Sequence, residues 1–144
     1  MTDALPGKPL PRASAESLPY WESAKQHKLL VQHCRACGQF WFPPSARCHH
    51  CLSGDFTWDE VSGEGRIYSF VVYHRLYHPA FERDLPYVVA IVELREGPRL
   101  LTNIVGVDWK DVRCDAPVKI VFDDDPRGIT IPKFTIPERQ SSAA

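Results

Sequence analysis

Four of the five cysteines form two Cys-x-x-Cys pairs, Cys34 with Cys37 and Cys48 with Cys51, and ten residues separate the pairs. Two such pairs at this spacing are typical of a tetrahedral zinc site. A two-residue spacer lets both sulfurs of one tight turn face the same point, and Zn²⁺ takes four thiolates at about 2.3 Å. The sequence therefore predicts that these four cysteines bind a structural Zn²⁺.

Two other chemistries use the same residue types. Two disulfides would need an oxidising compartment, and residues 1–14 lack the apolar core of a signal peptide. A redox-active motif needs one pair and not two. The residue types alone leave open whether iron replaces zinc. Because four thiolates close the coordination sphere, the metal is expected to stabilise the fold and to leave no position for water or substrate.

The residues around the cysteine pairs fit two metal-binding turns. Gly38 and Gly54 follow their pairs by one and three residues, where such turns often need a positive φ. Residues 40–42 are expected to be a small hydrophobic roof over the metal site. His49 and His50 lie inside the second turn and are expected to face solvent, because four thiolates already complete the metal's coordination.

Composition favours a strand-rich globular protein. The 144 residues are 44% hydrophobic and 24% charged, and they include 13 prolines but one methionine, which argues against a helical bundle. The net charge of −1 gives no basic field that would attract nucleic acid. No apolar run approaches the roughly 20 residues of a membrane span. We therefore expect a cytoplasmic protein that does not enter a membrane.

The region before the first cysteine pair is predicted to contain one short helix, from Pro19 to about Lys28. Proline suits a first helical position, and Tyr20, Trp21 and Ala24 fall on one stripe. The helix either packs on its own ribbon or docks on another subunit, and the sequence leaves both alternatives open. Residues 1–18 carry no hydrophobic period and are expected to be a flexible tail or an arm that orders against a partner.

Short strands separated by turns follow the second cysteine pair. Strand candidates span residues 56–61, 66–73, 87–94, 99–105, 118–122 and 129–134. About five short strands without a long helix are typical of a small closed barrel, most often an OB-fold. The predicted fold is mainly β: a short N-terminal helix, a rubredoxin-like zinc ribbon and a five-stranded OB-fold barrel. The predicted segments are a flexible tail at 1–18, helix and ribbon at 19–56, barrel at 57–136 and a flexible tail at 137–144.

Motifs of a free-standing catalyst are missing from the sequence. It contains no G-x-S-x-G elbow, no phosphate-binding glycine loop and no H-x-x-x-H zinc pair. The run Asp123-Asp124-Asp125 is expected to be a solvated turn, because consecutive side chains point in different directions. Cys114, the fifth cysteine, is expected to be a buried, inert thiol. We therefore predict no catalytic residue, and a stand-alone thioesterase or hydratase lacks any recognisable constellation.

The segment from Tyr73 to Pro86 is long and aromatic for a connection between two strands. Its composition favours a contact surface. The candidate contact residues are His74, Arg75, His78 and Phe81. The alternative is that Leu76, Tyr77 and Phe81 plug one end of the barrel while the histidines are solvated.

Several motifs occur in the order found in one known family. They are Tyr20-Trp21, the two cysteine pairs with Pro43-Pro44 between them, Ser62-Gly63-x-Gly65-x-x-Tyr68-Ser69, Pro86-Tyr87-Val88 and Pro117-Val118. With these motifs the chain resembles the acyl-CoA-associated zinc-ribbon plus OB-fold family, known as domain of unknown function 35. One departure is Cys114-Asp115-Ala116-Pro117, where the family more often has a glycine before the proline.

The resemblance implies a non-catalytic accessory or scaffolding subunit of an acyl-CoA-processing complex. Its partner would be a thiolase-like enzyme, an aldolase or an enoyl-CoA hydratase, whose acyl-CoA site the chain would help to assemble or complete. Residues 73–86 would lie near the partner's substrate channel, where an arginine or histidine could contact CoA phosphates. We expect a hetero-oligomer, or a homodimer when the chain is alone.

A single-stranded nucleic-acid-binding OB-fold protein is the alternative function. Tyr68, Phe70 and Tyr73 are the candidate residues for stacking on bases in that case. The balanced charge argues against this function, because lysines and arginines are scattered along the chain instead of lining one face.

Overall fold

The computed structural model describes residues 7–137. The tails predicted at 1–18 and 137–144 therefore lie partly outside the described residues, at positions 1–6 and 138–144. Part of the N-terminal segment lies against the barrel. Lys8 Nζ is 2.6 Å from Asp84 Oδ2, and the same ammonium lies 5.3 Å from the centre of the Phe81 ring.

One short helix, α1 (Leu18–Lys25), starts the folded part, with a proline in its first turn. It buries Tyr20, Ser23 and Ala24 and contacts both the ribbon and the barrel. The helix thus packs on its own chain, which is one of the two alternatives that the sequence left open. It ends three residues earlier than predicted, and His27 behind it has a left-handed φ of 60°.

The ribbon contains a three-stranded antiparallel sheet. Its strands are β1 (Leu30–Cys34), β2 (Phe40–Trp41) and β3 (Phe56–Glu60), in the order β2-β1-β3. Strand β3 pairs with β1 along its whole length, from Phe56 opposite Cys34 to Glu60 opposite Leu30. The sheet that contains β1 therefore extends to Glu60. The predicted domain boundary between residues 56 and 57 lies within β3 and stays a prediction.

Five strands form a closed barrel, as the sequence predicts, and their order is β4-β5-β6-β8-β7. The strands are β4 (Glu64–Tyr73), β5 (Tyr87–Leu94), β6 (Arg99–Ile104), β7 (Pro117–Asp124) and β8 (Thr130–Thr135). All neighbours are antiparallel except β6 and β8. Ile67, Val92 and Phe134 are completely buried inside. Two 3₁₀ helices, Pro79–Asp84 and Trp109–Asp111, lie in the connections.

The Gly63-x-Gly65 motif has a steric explanation at the start of β4. Gly63 has a φ of 75°, and a β-carbon there would collide with the Ile120 side chain. A β-carbon on Gly65 would collide with the backbone carbonyl of Glu93 in β5. Only glycine therefore lets β4 approach its neighbours β5 and β7 this closely.

Within residues 7–137, no helix is long and apolar enough to cross a membrane.

Candidate metal centre and the exposed loop

The four predicted cysteine ligands come together at one end of the ribbon. Their sulfur atoms all lie within 4.8 Å of one another. Cys34 Sγ is 3.5 Å from Cys51 Sγ, and Cys37 Sγ is 3.7 Å from Cys48 Sγ. A tetrahedron with metal–sulfur bonds of about 2.3 Å has sulfur–sulfur separations of about 3.8 Å. The donor set and its spacing therefore fit one tetrahedral metal ion.

Two equivalent turns position the sulfurs. In the first turn the N–H of Gly38 donates to the carbonyl of Cys34 at 3.0 Å, and in the second the N–H of Leu52 donates to the carbonyl of Cys48 at 3.0 Å. The residue that closes each turn is left-handed, with φ of 80° at Gly38 and 68° at Leu52. The prediction for Gly38 is confirmed. The prediction for Gly54 is wrong, because the second turn closes two residues earlier.

Backbone N–H groups point at the sulfurs in both turns. Cys37 N–H donates to Cys34 Sγ at 3.4 Å, and His50 N–H donates to Cys48 Sγ at 3.3 Å. The hydrogen bond from Cys37, supported by that from Ala36, lowers the pKa of Cys34 to about 6. Such donors stabilise the thiolate form, which is the form that binds a metal.

A buried amide supports the loop that leads to the second turn. Gln32, 2% exposed in β1, donates from Nε2 to the carbonyl of Ser45 at 2.7 Å and accepts from the N–H of Ser45 at 2.9 Å. The Ser45 hydroxyl accepts from Trp41 Nε1 at 3.0 Å and donates to the carbonyl of Arg47 at 2.7 Å. Sequence reasoning missed Gln32, because nothing in the residue pattern shows that its amide pairs with backbone 13 residues away.

The polar residues that flank the cysteines stay at the surface. His49 and His50 are exposed, as predicted. Arg47 donates from Nη1 to the carbonyl of Leu52 at 3.1 Å and so braces the second turn. Arg35 Nε lies 3.6 Å from Asp55 Oδ1. These residues leave the four sulfurs as the donors of the centre.

The structure divides the four candidates in the loop between β4 and β5 into two kinds. His78 Nδ1 accepts from the N–H of Ala80 at 3.0 Å and caps the 3₁₀ helix. Phe81 is half-buried, with its ring centre 5.9 Å from that of Tyr87. These two residues hold the loop in place. A capping histidine and a packed phenylalanine are less free to contact a ligand.

His74 and Arg75 are the exposed members of the set. The His74 ring meets Trp109 edge to face at 4.9 Å, and the Arg75 guanidinium lies 5.5 Å from the centre of the Tyr77 ring. Leu76 and Tyr77 are 41% and 69% exposed. The alternative in which these two side chains plug a barrel end is therefore wrong, because they point outward from the loop.

The acidic run at residues 123–125 and Cys114 are the remaining groups for which the sequence made a prediction. Each carboxylate of the acidic run has its own partner, Lys133 for Asp123, Thr130 and His27 for Asp124, and Arg127 for Asp125. The side chains diverge at the surface, as predicted. The prediction of a turn is correct only for Asp125, because Asp123 and Asp124 are the last residues of β7 and pair with Ile131 and Thr130 in β8. Cys114 is exposed, so the prediction of a buried thiol is wrong. It lies in a surface turn whose next residue, Asp115, has a φ of 70° and pairs with Arg66.

Comparison with known proteins matches both parts of the chain. Residues 21–57 match the family described as "ChsH2, rubredoxin-like zinc ribbon domain", and residues 58–123 match "ChsH2, C-terminal OB-fold domain". A DUF35 domain-containing scaffold protein of Methanocaldococcus jannaschii is 35% identical over 104 residues, which are 71% of this chain and 73% of that protein.

One longer relative and one solved structure are also similar to this chain. A probable enoyl-CoA hydratase alpha subunit of Thermomonospora curvata is 40% identical over 93% of this chain, which spans 42% of the length of that relative. A solved structure named Ltp2-ChsH2(DUF35) aldolase contains a chain that is 41% identical, with a TM-score of 0.78. The match covers 88% of this chain and 98% of that one.

Proposed function

Because this chain belongs to the ChsH2 (DUF35) family of zinc-ribbon and OB-fold proteins, we propose that it is an accessory subunit of an acyl-CoA-processing enzyme. It would help to assemble or complete the acyl-CoA site of a hydratase, an aldolase or a thiolase-like partner, without a catalytic residue of its own. The observation that supports the proposal is the match of 88% of this chain to a chain of the solved structure named Ltp2-ChsH2(DUF35) aldolase.

The metal centre has a structural role in this proposal. Cys34, Cys37, Cys48 and Cys51 would hold the ion, which we infer to be Zn²⁺. Four thiolates would supply all the ligands of a tetrahedral ion, so the centre would give no open position for a substrate or for activating water. When bound, the ion would cross-link β1 and the second turn, so that a ribbon with few buried side chains keeps its shape.

The exposed half of the loop is the proposed contact with the partner or with acyl-CoA. His74 and Arg75 are the first two residues of the loop after β4, and both are exposed. A guanidinium beside an aromatic ring can pair with a phosphate or with a carboxylate of the partner. His78 and Phe81, the other two candidates, would act by holding the later part of the loop in position.

The nucleic-acid alternative has weaker support. Phe70, one of its three candidate stacking residues, packs against the barrel core, and Tyr73 stacks on Tyr87 with ring centres 5.1 Å apart. Tyr68 is 43% exposed, but the Arg99 guanidinium lies over its ring, 3.8 Å from the ring centre. The three rings therefore do not form one open platform for bases.

Co-purification from the native cells tests the proposed function. A tagged chain is expected to bring down an acyl-CoA enzyme, identified by mass spectrometry, and adding the chain to that purified enzyme should raise its activity or its thermal stability. Arg75→Ala should raise the KM of the complex for acyl-CoA or weaken assembly, whereas Arg83→Ala, an exposed arginine of the same loop, serves as the control. Turnover of acyl-CoA by the isolated chain, or no effect on the enzyme, would contradict the proposal.

A further inference from the structure

The outside of the barrel at β4, β5 and β6 is apolar. Strand register places Ser69, Ile91 and Leu101 in one row across the three strands. The next row contains Val71, Val89 and Asn103, and the one after it contains the stacked pair Tyr73 and Tyr87. Tyr68, beside Ser69 in β4, is also exposed. We define the outer barrel face as the apolar and aromatic side chains of this surface, which are Tyr68, Val71, Tyr73, Val89, Ile91 and Leu101.

The inner residues of the same strands fill the core, so the apolar outer residues are not needed there. Along β5 burial alternates strictly, with Val88, Ala90 and Val92 buried and Val89 and Ile91 half-buried on the opposite side. An antiparallel sheet that faces water on one side normally carries polar residues on that side. Here valine, isoleucine and leucine occupy it, and such a surface usually marks an interface.

The exposed large apolar side chains are concentrated on the outer barrel face and the loop beside it. Within residues 7–137, seven large apolar side chains are exposed, and five of them lie on this face or on the loop beside it. Leu101 is 73% exposed and Val71 is 55% exposed. The ring of Tyr77 meets that of Tyr73 edge to face at 5.8 Å, so Tyr77 in the loop extends the face. The outer barrel face and the exposed loop thus form one continuous surface.

The charges at the border of this surface indicate the kind of partner. Arg66, Glu93 and Arg99 form the row at one end, and Arg75 lies on Tyr77 at the other end. Counted with the two carboxylates that pair with them, Glu93 and Asp115, the three arginines leave the border with one net positive charge. A second copy of the same face would oppose arginines with arginines, whereas a protein surface with an apolar centre and carboxylates around it would complement both the charge and the apolar patch.

We propose that the outer barrel face, in which Leu101 and Val71 are the most exposed side chains, docks the acyl-CoA enzyme subunit through an apolar patch that is bordered by carboxylates on the enzyme. The proposal rests on the proposed function and assigns it to a surface. The apolar centre supplies the buried area, and the arginine border sets orientation and association rate. The first residues of the loop after β4 would then lie at the edge of the interface, where His74 and Arg75 can reach the enzyme's substrate.

The test uses the full-length, zinc-loaded chain and the acyl-CoA enzyme recovered by co-purification. Val71→Glu combined with Leu101→Glu places carboxylates on both sides of Val89 and Ile91. Both positions are exposed, so the variant should keep the thermal stability of the wild type. It should bind the enzyme at least about 100-fold more weakly by calorimetry. Leu18→Glu, at a 44% exposed leucine in the first turn of α1, is the matched control and should bind like the wild type.

The charge part of the inference has a separate readout. Arg75→Glu should slow association, and the wild-type association rate should fall as salt increases. An association rate that Arg75→Glu leaves unchanged would overturn the role of the border.

Each remaining outcome has one meaning. If the wild type and the double variant bind the enzyme equally, the docking inference is wrong and the proposed function stands. If the wild type does not bind, both fail. A wild-type dimer that the double variant dissociates in the absence of enzyme would assign the face to a second copy instead. Binding to anionic vesicles or single-stranded DNA that the double variant abolishes would likewise overturn the proposed occupant.

Discussion

Leu52 occupies in the second cysteine turn the left-handed position that Gly38 occupies in the first. Each residue lies four positions after the first cysteine of its pair and donates its N–H to that cysteine's carbonyl at 3.0 Å. Their φ angles are 68° and 80°. The two turns therefore have the same backbone, although only one of them has glycine at the position that favours it.

This equivalence predicts opposite effects at the two positions. Gly38→Ala should lower the free energy of unfolding by about 1 kcal/mol, because a β-carbon is disfavoured at positive φ. No atom lies within 4 Å of such a β-carbon, so the backbone conformation alone sets the cost. Leu52→Gly should raise the free energy of unfolding by about 0.5 kcal/mol, since relief at positive φ exceeds the extra freedom of the unfolded chain. Urea unfolding of the zinc-loaded proteins measures both. Equal effects of the same sign would refute the equivalence.

The reciprocal pairing of Gln32 with Ser45 predicts a large cost for losing one side chain. Gln32→Leu leaves the N–H and the carbonyl of Ser45 without partners beside a buried strand, which should cost about 3 kcal/mol of unfolding free energy. Gln26→Leu makes the same change at an exposed position and should cost much less. Denaturant unfolding compares the two variants. A similar loss in both would show that the paired amide contributes little.

The metal centre predicts that one cysteine matters for folding and another does not. Cys34→Ser removes a ligand at a buried position, so the ribbon should lose tightly bound zinc and unfold at a lower temperature. Cys114→Ser changes the exposed cysteine outside the cluster and should leave both quantities unchanged. Zinc content after dialysis and thermal unfolding by circular dichroism report the outcome. If Cys34→Ser still docked normally after losing zinc, the ribbon would be dispensable for assembly.

The start of β4 predicts a steric difference between two glycines. Gly65→Ala should destabilise the barrel by about 3 kcal/mol, because its β-carbon would meet the Glu93 carbonyl of the neighbouring strand. Gly54→Ala should be tolerated, since the nearest atom to a β-carbon there, the carbonyl oxygen of Ala46, is 3.7 Å away and φ is not positive. Thermal unfolding separates the two cases. Survival of Gly65→Ala with unchanged stability would mean that β4 and β5 can move apart at no cost.

The two cysteine pairs and the barrel were predictable because both depend on local spacing. Two Cys-x-x-Cys pairs at this spacing are sufficient to predict one tetrahedral metal site. The short β runs between turns predict the barrel strands. The partner of β3 was not predictable in the same way. Residues 56–60 read as a strand from their sequence, but only the tertiary structure shows that this strand pairs with β1.

For the loop and the outer barrel face, too, the sequence predicted only part of what the structure shows. The composition of residues 73–86 marks a contact surface, but the division into supporting His78 and Phe81 and exposed His74 and Arg75 depends on which atoms they contact. The signal for the outer face was present in β5, where apolar residues occupy both sides of the strand. Apolar residues on both faces of a strand do not show by themselves whether the outer face is covered by another part of the same chain.

The sequence by itself determined the four-cysteine cluster, the number of barrel strands and the class of proteins to which the chain belongs, because residue type and spacing along the chain are sufficient for these. Tertiary structure alone decided that α1 packs on its own chain, that Cys114 is exposed and that Gln32 braces the metal-binding loop. Each of these depends on contacts between segments that are distant in the chain, and such contacts follow from the packing of the whole fold and not from any local pattern.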